Sequence, residues 1–265
     1  MEIGVEVVAA LAVVALCAGF FDAIAGGGGL LTVPALLLAG FDPATAIATN
    51  KLQGSFGTLS ATAAFARAGR IDSRAAAPMA IAAAIGSVAG AAAVRWLPVG
   101  LFAAIVPMLL IGVALYFWLG PRMSEDDARR RMASGLFAGT LAPLIGFYDG
   151  VFGPGAGSFY MLGLVTLLGY GLVRATAHTK LLNASSNVAS LLFFVWAGLV
   201  FWPVGLAMGA CATVGAQLGS RLAMRKGARL IRPLLIAICC ATAVRLLMDP
   251  ANPLRRAIGQ FLGWD

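Results

Sequence analysis

The residues best suited to chemistry in this sequence are two lysines inside long apolar stretches. Lys51 and Lys180 are the only lysines besides Lys226, which lies in a basic cluster. A lysine ammonium is a compact charge with three hydrogen-bond donors, which suits a small oxyanion. Polar side chains adjoin each lysine or follow it along one helical face, which predicts an anion-binding lane or, alternatively, a polar seam between packed helices. These neighbours are Asn50, Gln53, Ser55, Thr58 and Thr62 in the first stretch and His178, Thr179, Asn183, Asn187 and Ser190 in the second.

A glycine-rich break precedes each lysine-bearing stretch. Residues 26–29 are four glycines directly after an apolar helix, and each glycine costs a helix interior up to about 1 kcal/mol. A second short helix is predicted from Leu30 to Leu38, and its N-terminal N–H groups and dipole favour an anion. Residues 153–158 repeat the arrangement. Close helix packing is the alternative, but two equivalent breaks indicate a binding site, so Gly27, Gly28 and Gly155 are predicted to contact the anion.

Two carboxylates stand in apolar segments, each four residues before a glycine break. An ionised carboxylate at membrane depth normally pairs, becomes protonated or faces a cavity. Asp22 and Asp149 therefore have three interpretations, which the sequence leaves open: caps for the broken helices, proton or cation coupling, or a salt bridge to Lys51 or Lys180. His178 is the only histidine, and it is either a core residue or part of the site.

These features recur because the chain contains an internal repeat. Residues 19–22 match 146–149, and residues 48–52 match 177–181 in the same order. Repeated spacing of this kind indicates two copies of one structural unit. The predicted organisation is an N-terminal transmembrane repeat at 1–120, a cytoplasmic linker at 121–131 and a C-terminal transmembrane repeat at 132–265.

The composition defines the elements that must position these residues. The chain is 60% hydrophobic and 11% charged, with a mean hydropathy of +0.91, whereas soluble domains carry roughly 45–50% apolar and about 25% charged residues. The predicted fold class is therefore all-α, a polytopic membrane protein of about 8–10 transmembrane segments. The net charge of +8 comes from short basic clusters between apolar runs, so we expect a lipid bilayer as partner and no nucleic acid. The apolar segments are 5–24, 28–40, 44–66, 75–97, 99–119, 132–150, 154–169, 172–197, 200–224 and 230–248.

Basic residues in the short loops predict the orientation. If all ten segments cross and the N-terminus lies outside, thirteen basic residues fall inside and four outside. Five crossings per half make the repeats inverted, which we favour. Segments 28–40 and 154–169 are shorter than the roughly 20 residues that a span needs. If they dip in and return, four crossings per half remain and the repeats are parallel. Residues 252–265 could form a short interfacial helix.

Small residues at four-residue spacing occupy two further helices. They predict close helix packing, either within the chain or in a homodimer. The two sets are Ala82, Gly86 and Gly90 in the first half and Ala207, Cys211, Gly215 and Gly219 in the second.

The motifs around the breaks and lysines resemble those of the TauE/SafE family of sulfite exporters and related permeases. The matching stretches are 19–58, with DAIAGGGG and ATNKLQGSFGTLS, and 146–187, with YDGVFGPGAGSF and AHTKLLNASSN. The resemblance covers nearly the whole chain. It implies a transporter in the bacterial inner membrane that moves small sulfur-containing anions, such as sulfite or an organosulfonate like sulfoacetate, typically outward.

The predicted function is secondary anion transport by alternating access. The sequence contains no GxxxxGK[ST] loop for a nucleotide and no Cys/His spacing for zinc, so we expect no cofactor and no metal. A passive anion channel is one alternative. An intramembrane enzyme that uses Asp22, Asp149 and His178 is another, but it would need a nucleophile or metal cluster, and neither is apparent in the sequence.

Overall fold

A computed structural model of the chain describes residues 4–94, 99–119 and 126–248. Within these ranges the secondary structure is entirely helical, which confirms the all-α prediction. The predicted tail helix at 252–265 lies outside the described residues. The helices are α1 (Val5–Ala25), α2 (Gly29–Leu38), α3 (Pro43–Arg67), α4 (Ser73–Ala93), α5 (Val99–Leu119), α6 (Ser134–Gly139), α7 (Leu141–Val151), α8 (Ala156–Thr166), α9 (Leu172–Trp196), α10 (Trp202–Lys226) and α11 (Ala228–Met248).

One predicted segment is divided in the structure. Residues 132–150 were expected to form a single helix, but α6 ends at Gly139 and α7 begins at Leu141. Thr140 between them has φ −125° and ψ −73°, outside the helical region. Pro143 explains the break, because a proline ring clashes with the carbonyl four residues earlier, here that of Gly139.

The predicted glycine breaks are present, and a short helix follows each. Gly26 and Gly27 have φ of +85° and +98°, and Gly153 and Gly155 have φ of +90° and +88°. These left-handed conformations are strained for any residue with a Cβ. At a rise of about 1.5 Å per residue, α2 and α8 are only about 15–17 Å long, roughly half a bilayer core.

Helix α2 turns back toward the end at which α1 begins. Leu36 near its C-terminus and Phe41 just beyond it pack in one cluster with Leu11 and Ala15, from the N-terminal half of α1. Helix α3 starts from the same place, since Ala46 belongs to this cluster. Helices α1 and α2 therefore form a hairpin that returns the chain to the side on which α1 begins.

Small residues bring α4 against α7 and α1 against α10. A Cβ built on Gly86 would lie 2.1 Å from the carbonyl oxygen of Pro143, and one on Gly90 would lie 2.1 Å from that of Phe147. No side chain fits between backbones this close, so the small-residue sets pack within the chain, as one of the two alternatives predicted. The corresponding contacts of α10 with α1 are Gly215 at Leu16 and Gly219 at Phe20.

Helices α3 and α9 cross the centre of the molecule in opposite directions. Near the C-terminal end of α3, the backbone N–H of Asp72 donates to His178, close to the start of α9. Near the start of α3, Ile47 and Ala48 pack with Phe194, close to the end of α9. The two lysine-bearing helices are therefore antiparallel neighbours.

The outer surface of the molecule is strongly apolar. By length and apolarity, two of the described helices, Val5–Ala25 and Ser73–Ala93, qualify as membrane spans. Helices α3 and α9 are longer, at 25 residues each, but they carry the polar residues of the interior. Large apolar side chains point outward on several helices, including Leu38, Leu119, Leu144, Leu192, Trp196 and Ile85.

Part of the predicted linker is folded against the second half. The Asp127 carboxylate accepts a hydrogen bond of 2.9 Å from the backbone N–H of Gly171, just before α9. The N–H of Ala128 donates to the carbonyl of Gly169 over 2.7 Å. The described residues 126–131 are thus held at the end of the molecule where α9 begins.

We predict that Gly86→Ala destabilises the protein, because the new methyl group would clash with the Pro143 carbonyl and overpacking costs about 1–3 kcal/mol. The matched control is Gly112→Ala in α5, where a Cβ meets nothing within 4 Å. Thermal unfolding in detergent measures both. A lower midpoint for Gly86→Ala alone is expected, whereas equal midpoints would contradict the packing.

Candidate functional site

The two glycine breaks meet inside the molecule. A Cβ on Gly26 would lie 3.0 Å from the carbonyl carbon of Gly157, and one on Gly29 would lie 3.7 Å from the Cα of Pro154. The contact at Gly26 requires a residue without a side chain, whereas a Cβ on Gly29 would be in ordinary van der Waals contact. The N-termini of α2 and α8 are therefore brought together between the two lysine-bearing helices.

A small cavity of about 40 Å³ lies at this meeting point. Since one water needs about 10–15 Å³ by the same measure, the cavity has room for about three water-sized groups. Its walls come from both breaks and from helices α1, α3, α7 and α9. The lining includes the predicted residues Asp22, Gly27, Gly28, Asn50, Lys51, Gln53, Asp149, Gly155, Asn183 and Asn187.

Lys51 forms a buried ion pair with Asp149. The Lys51 Nζ lies 2.8 Å from Asp149 Oδ1, and the two side chains are only 1% and 4% exposed. The same ammonium donates to the Asn187 amide oxygen over 3.1 Å. Ser186 donates to the other oxygen of Asp149 through a short hydrogen bond. Both charges are therefore satisfied, and both residues line the cavity.

Lys180 forms the second ion pair, with Asp22, whose side chain is 17% exposed. Its Nζ lies 3.1 Å from Asp22 Oδ2 and also donates to the backbone carbonyl of Asp22. The other carboxylate oxygen accepts from the backbone N–H of Gly28 over 2.9 Å. Asp22 thus occupies the N-terminus of α2 that the sequence analysis predicted to be open to an anion.

Each lysine is paired with the carboxylate of the other half of the chain. Lys51 in α3 contacts Asp149 in α7, and Lys180 in α9 contacts Asp22 in α1. Salt bridges were one of the interpretations left open, and the geometry confirms them for both carboxylates. The capping interpretation also holds for Asp22. Removing one partner of such a buried pair costs about 3–5 kcal/mol, because the other charge is left uncompensated.

Four amide side chains complete the cavity wall. Thr32 donates to the Asn50 oxygen, which leaves the Asn50 Nδ2 beside Gly29. Among the described residues, the oxygens of Gln53 and Asn183 find no hydrogen-bond partner, although the two residues are only 3% and 5% exposed. Buried polar atoms are normally paired, so unpaired amides at a cavity are available to a ligand. An amide can present either its oxygen or its NH₂ group by rotating.

Three predicted site residues do not line the cavity: His178, Thr179 and Lys180. His178 lies toward the start of α9, where Nδ1 is 2.9 Å from the Arg174 carbonyl and Nε2 accepts from the N–H of Asp72 over 3.3 Å. One nitrogen donates and the other accepts, as in a neutral imidazole. The structure therefore gives His178 a structural contact, whereas Lys180 reaches the cavity only through Asp22.

Three hydroxyl groups of the predicted polar lane, all on α3, are used within that helix. Ser55, Thr58 and Thr62 donate to backbone carbonyls three or four residues earlier, as such side chains commonly do. Thr58 still lines the cavity, but Ser55 lines a separate groove on the outside of α3. Fewer of these polar side chains reach the cavity than their spacing along one helical face predicted.

The sequence analysis missed glycines in the wall of α3. Gly54 and Gly57 line the cavity, and a Cβ on Gly54 would lie 3.6 Å from the Asn187 oxygen. Gly54 follows Lys51 by three residues and so shares its helical face, whereas Gly57 lies about 120° around the helix from Lys51. The sequence therefore held a signal for Gly54 but not for Gly57. For metal binding, the described residues contain no group of three or more His, Cys, Asp or Glu side chains that could hold an ion.

Comparison with known proteins identifies the family. The model for the sulfite exporter TauE/SafE family matches residues 11–246. The chain belongs to the TauE/SafE family. A probable membrane transporter protein, ORF9, from Sinorhizobium sp is 51% identical over 97% of this chain and 99% of its own length. The probable membrane transporter protein YfcA of Escherichia coli strain K12 is 47% identical, over 89% of this chain and 88% of its own.

A further relative, from Haemophilus influenzae, is named a probable membrane transporter protein and is 41% identical over 94% of this chain and 98% of its own length. No solved structure matches the chain significantly. The TauE/SafE chain is thus a membrane-embedded transporter, and its relatives are named as transporters rather than as enzymes.

The crossed pairing predicts a specific rescue. Lys51→Met should destabilise the TauE/SafE chain by about 3–5 kcal/mol, because it leaves the Asp149 carboxylate buried without its cation. Adding Asp149→Asn should restore most of the loss, whereas adding Asp22→Asn should not. Unfolding midpoints of the single and double variants measure this. Equal rescue by both asparagines, or rescue by Asp22→Asn alone, would contradict the pairing.

Proposed function

We propose that this TauE/SafE chain is a secondary transporter of small sulfur-containing oxyanions, which it exports by alternating access. The observation that carries the proposal is the cavity where the glycine breaks meet, with the Lys51 ammonium and four amides in its wall. Such a set of donors fits an oxyanion, since ammonium and amide N–H groups hydrogen-bond oxygen. The geometry supports an anion, and the family's description as sulfite exporter supports sulfur.

The size of the cavity favours the smaller members of this substrate class. Room for about three water-sized groups suits sulfite or a short sulfonate. A longer organosulfonate such as sulfoacetate would require the cavity to widen. We therefore place sulfite first among the candidate substrates.

We propose a multi-pass topology with inverted repeats in the bacterial inner membrane. The hairpin of α1 and α2 returns to its starting side, so three crossings by α3, α4 and α5 carry the first half to the opposite side. The second half then begins from that side, which agrees with the antiparallel packing of α3 and α9. The predicted fold class combines broken or re-entrant helices with inverted repeats, and this topology does so too, although counting four crossings per half would make the repeats parallel.

Alternating access would follow from the contacts between halves. The cavity wall and both ion pairs combine residues from the N-terminal and C-terminal halves. Rocking of one half against the other would therefore open the cavity to one side or the other while the anion stays bound. Broken helices around a central site are a common arrangement in transporters with repeats.

The site predicts that Lys51→Ala weakens anion binding about 10-fold to 100-fold, because a hydrogen bond to a charged group contributes about 1.5–3 kcal/mol. Lys226→Ala is the matched control, since Lys226 is exposed at the end of α10. The measurement is ligand-induced thermal stabilisation of purified protein with sulfite, sulfate, thiosulfate, sulfoacetate and taurine. If folded Lys51→Ala binds the anions as tightly as the wild type does, the cavity is not the binding site.

Flux in proteoliposomes separates transport from its alternatives. We expect saturable uptake of labelled sulfite in unchanged form, with counter-flow when unlabelled sulfite is present inside. Flux that neither saturates nor shows counter-flow would indicate a channel instead. Chemical conversion of the anion would indicate an enzyme.

The topology predicts that a reporter inserted between residues 124 and 125 lies in the cytoplasm. Basic residues cluster on this side, among them Arg129, Arg130 and Arg131 next to the insertion point, and positive charge favours the cytoplasmic face. Paired fluorescent and phosphatase reporters read the side directly. Phosphatase activity at this point would show that the linker lies outside the cytoplasm, which would contradict the predicted orientation.

A further inference from the structure

The ionisable groups at the cavity set a condition on what can bind there. Two lysines and two aspartates form the ion pairs Lys51–Asp149 and Lys180–Asp22, and their formal charges sum to zero. An anion in the same enclosed space would leave one uncompensated negative charge, and buried unpaired charge is strongly unfavourable. The proposed anion transport therefore requires a cation to arrive with the anion.

The two ion pairs differ in whether separating the pair would make a lysine ammonium available inside the cavity. Lys51 lines the cavity, and its ammonium is held by Asp149 and Asn187. Lys180 does not line the cavity, and the backbone carbonyl of Asp22 holds it in addition to the carboxylate. Neutralising Asp149 would therefore release a cation directly to the anion, whereas neutralising Asp22 would not.

We propose that Asp149 takes up one proton for each monovalent anion bound, and that Lys51 then passes from Asp149 to the anion. The proton adds to a carboxylate oxygen of Asp149, which becomes a neutral carboxylic acid. The anion replaces it as the partner of the Lys51 ammonium, with the Gln53 and Asn183 amides as further donors. Anion and proton together carry no net charge, so transport is electroneutral. Its direction is set by the combined gradients of anion and proton, so export requires an outward anion gradient larger than the inward proton gradient. This inference rests on the proposed function and assigns its coupling ion.

Apart from Asp22, the described residues around Asp149 include no second carboxylate that could accept the proton. On α8, the Tyr160 hydroxyl donates to the Ala142 carbonyl over 3.3 Å, and beside Asp149 the Tyr148 hydroxyl donates to the Pro154 carbonyl. Of the other helices packed on α7, α4 carries Arg74 in its first turn as its one titratable residue, and α6 carries none. On α9, Lys180 faces Asp22, and His178 and Arg174 lie together near the helix start.

The test uses purified full-length protein in proteoliposomes with labelled methanesulfonate, a small anion that stays ionised over the whole working range of pH. Any proton that moves with it must therefore have been carried by the protein. Valinomycin and potassium set the membrane potential, and a trapped pH dye follows protons. For the wild type we expect about tenfold accumulation per unit of pH gradient, one proton per anion and no dependence on potential. If the wild type carries sulfite but not methanesulfonate, the same potential criterion is applied to sulfite.

Asp149→Asn mimics the protonated state, so it should still exchange the anion, at an altered rate, but lose accumulation driven by the pH gradient. Its net flux should become sensitive to potential. Asp149→Glu should restore the proton coupling. Asp22→Asn is the repeat-equivalent comparison, and it should weaken binding yet keep accumulation driven by the pH gradient.

Several results would overturn the inference. Wild-type flux that depends on potential without proton movement would do so regardless of how the variants fold. Accumulation driven by a sodium gradient would replace the proton by a metal cation. Full coupling in Asp149→Asn, or loss of coupling in Asp22→Asn alone, would move the proton to another group. In each of these cases anion transport itself stands, whereas a wild type that moves no anion would remove the proposed function as well.

Discussion

The need to pair two lysine charges inside an apolar molecule is the constraint on which the rest of the structure depends. Lys51 and Lys180 are 1% and 0% exposed, and each finds its carboxylate in the other half of the chain. A buried charge without a partner would cost several kcal/mol. Because each lysine is paired across the halves, each half depends on the other to neutralise its lysine. The crossed pairs therefore hold the halves together at the point where the cavity lies.

Close backbone contact makes this arrangement sterically feasible. Glycines at the two breaks let α2 and α8 meet end to end, and glycines in α4 and α10 let the neighbouring helices approach without intervening side chains. The result is a small polar space inside an apolar shell. In the proposed mechanism, movement of one half against the other would shift each carboxylate relative to the lysine of the other half, which would link charge pairing to access to the cavity.

Much of the fold follows from local patterns in the sequence. Apolar length and glycine position predicted most helix bounds, and the glycine breaks at 26–29 and 153–158 are where α1 and α7 end. The pairing across the halves was not predictable, because it depends on the relative placement of distant helices. The sequence left His178 as either a core residue or part of the site. It follows Arg174 by one helical turn, and its ring turns toward Asp72 just before α4 rather than toward the cavity.

The most direct measurement of the central proposal is a crystal structure with bound selenite, whose selenium atom can be located by anomalous scattering and whose shape matches sulfite. The proposal predicts one strong anomalous peak in the cavity, within hydrogen-bond reach of the Lys51 ammonium and the Asn183 amide. It also predicts that the Lys51–Asp149 distance lengthens from 2.8 Å when the anion is bound. A selenium peak elsewhere in the protein, with the cavity empty and the pair intact, would contradict it.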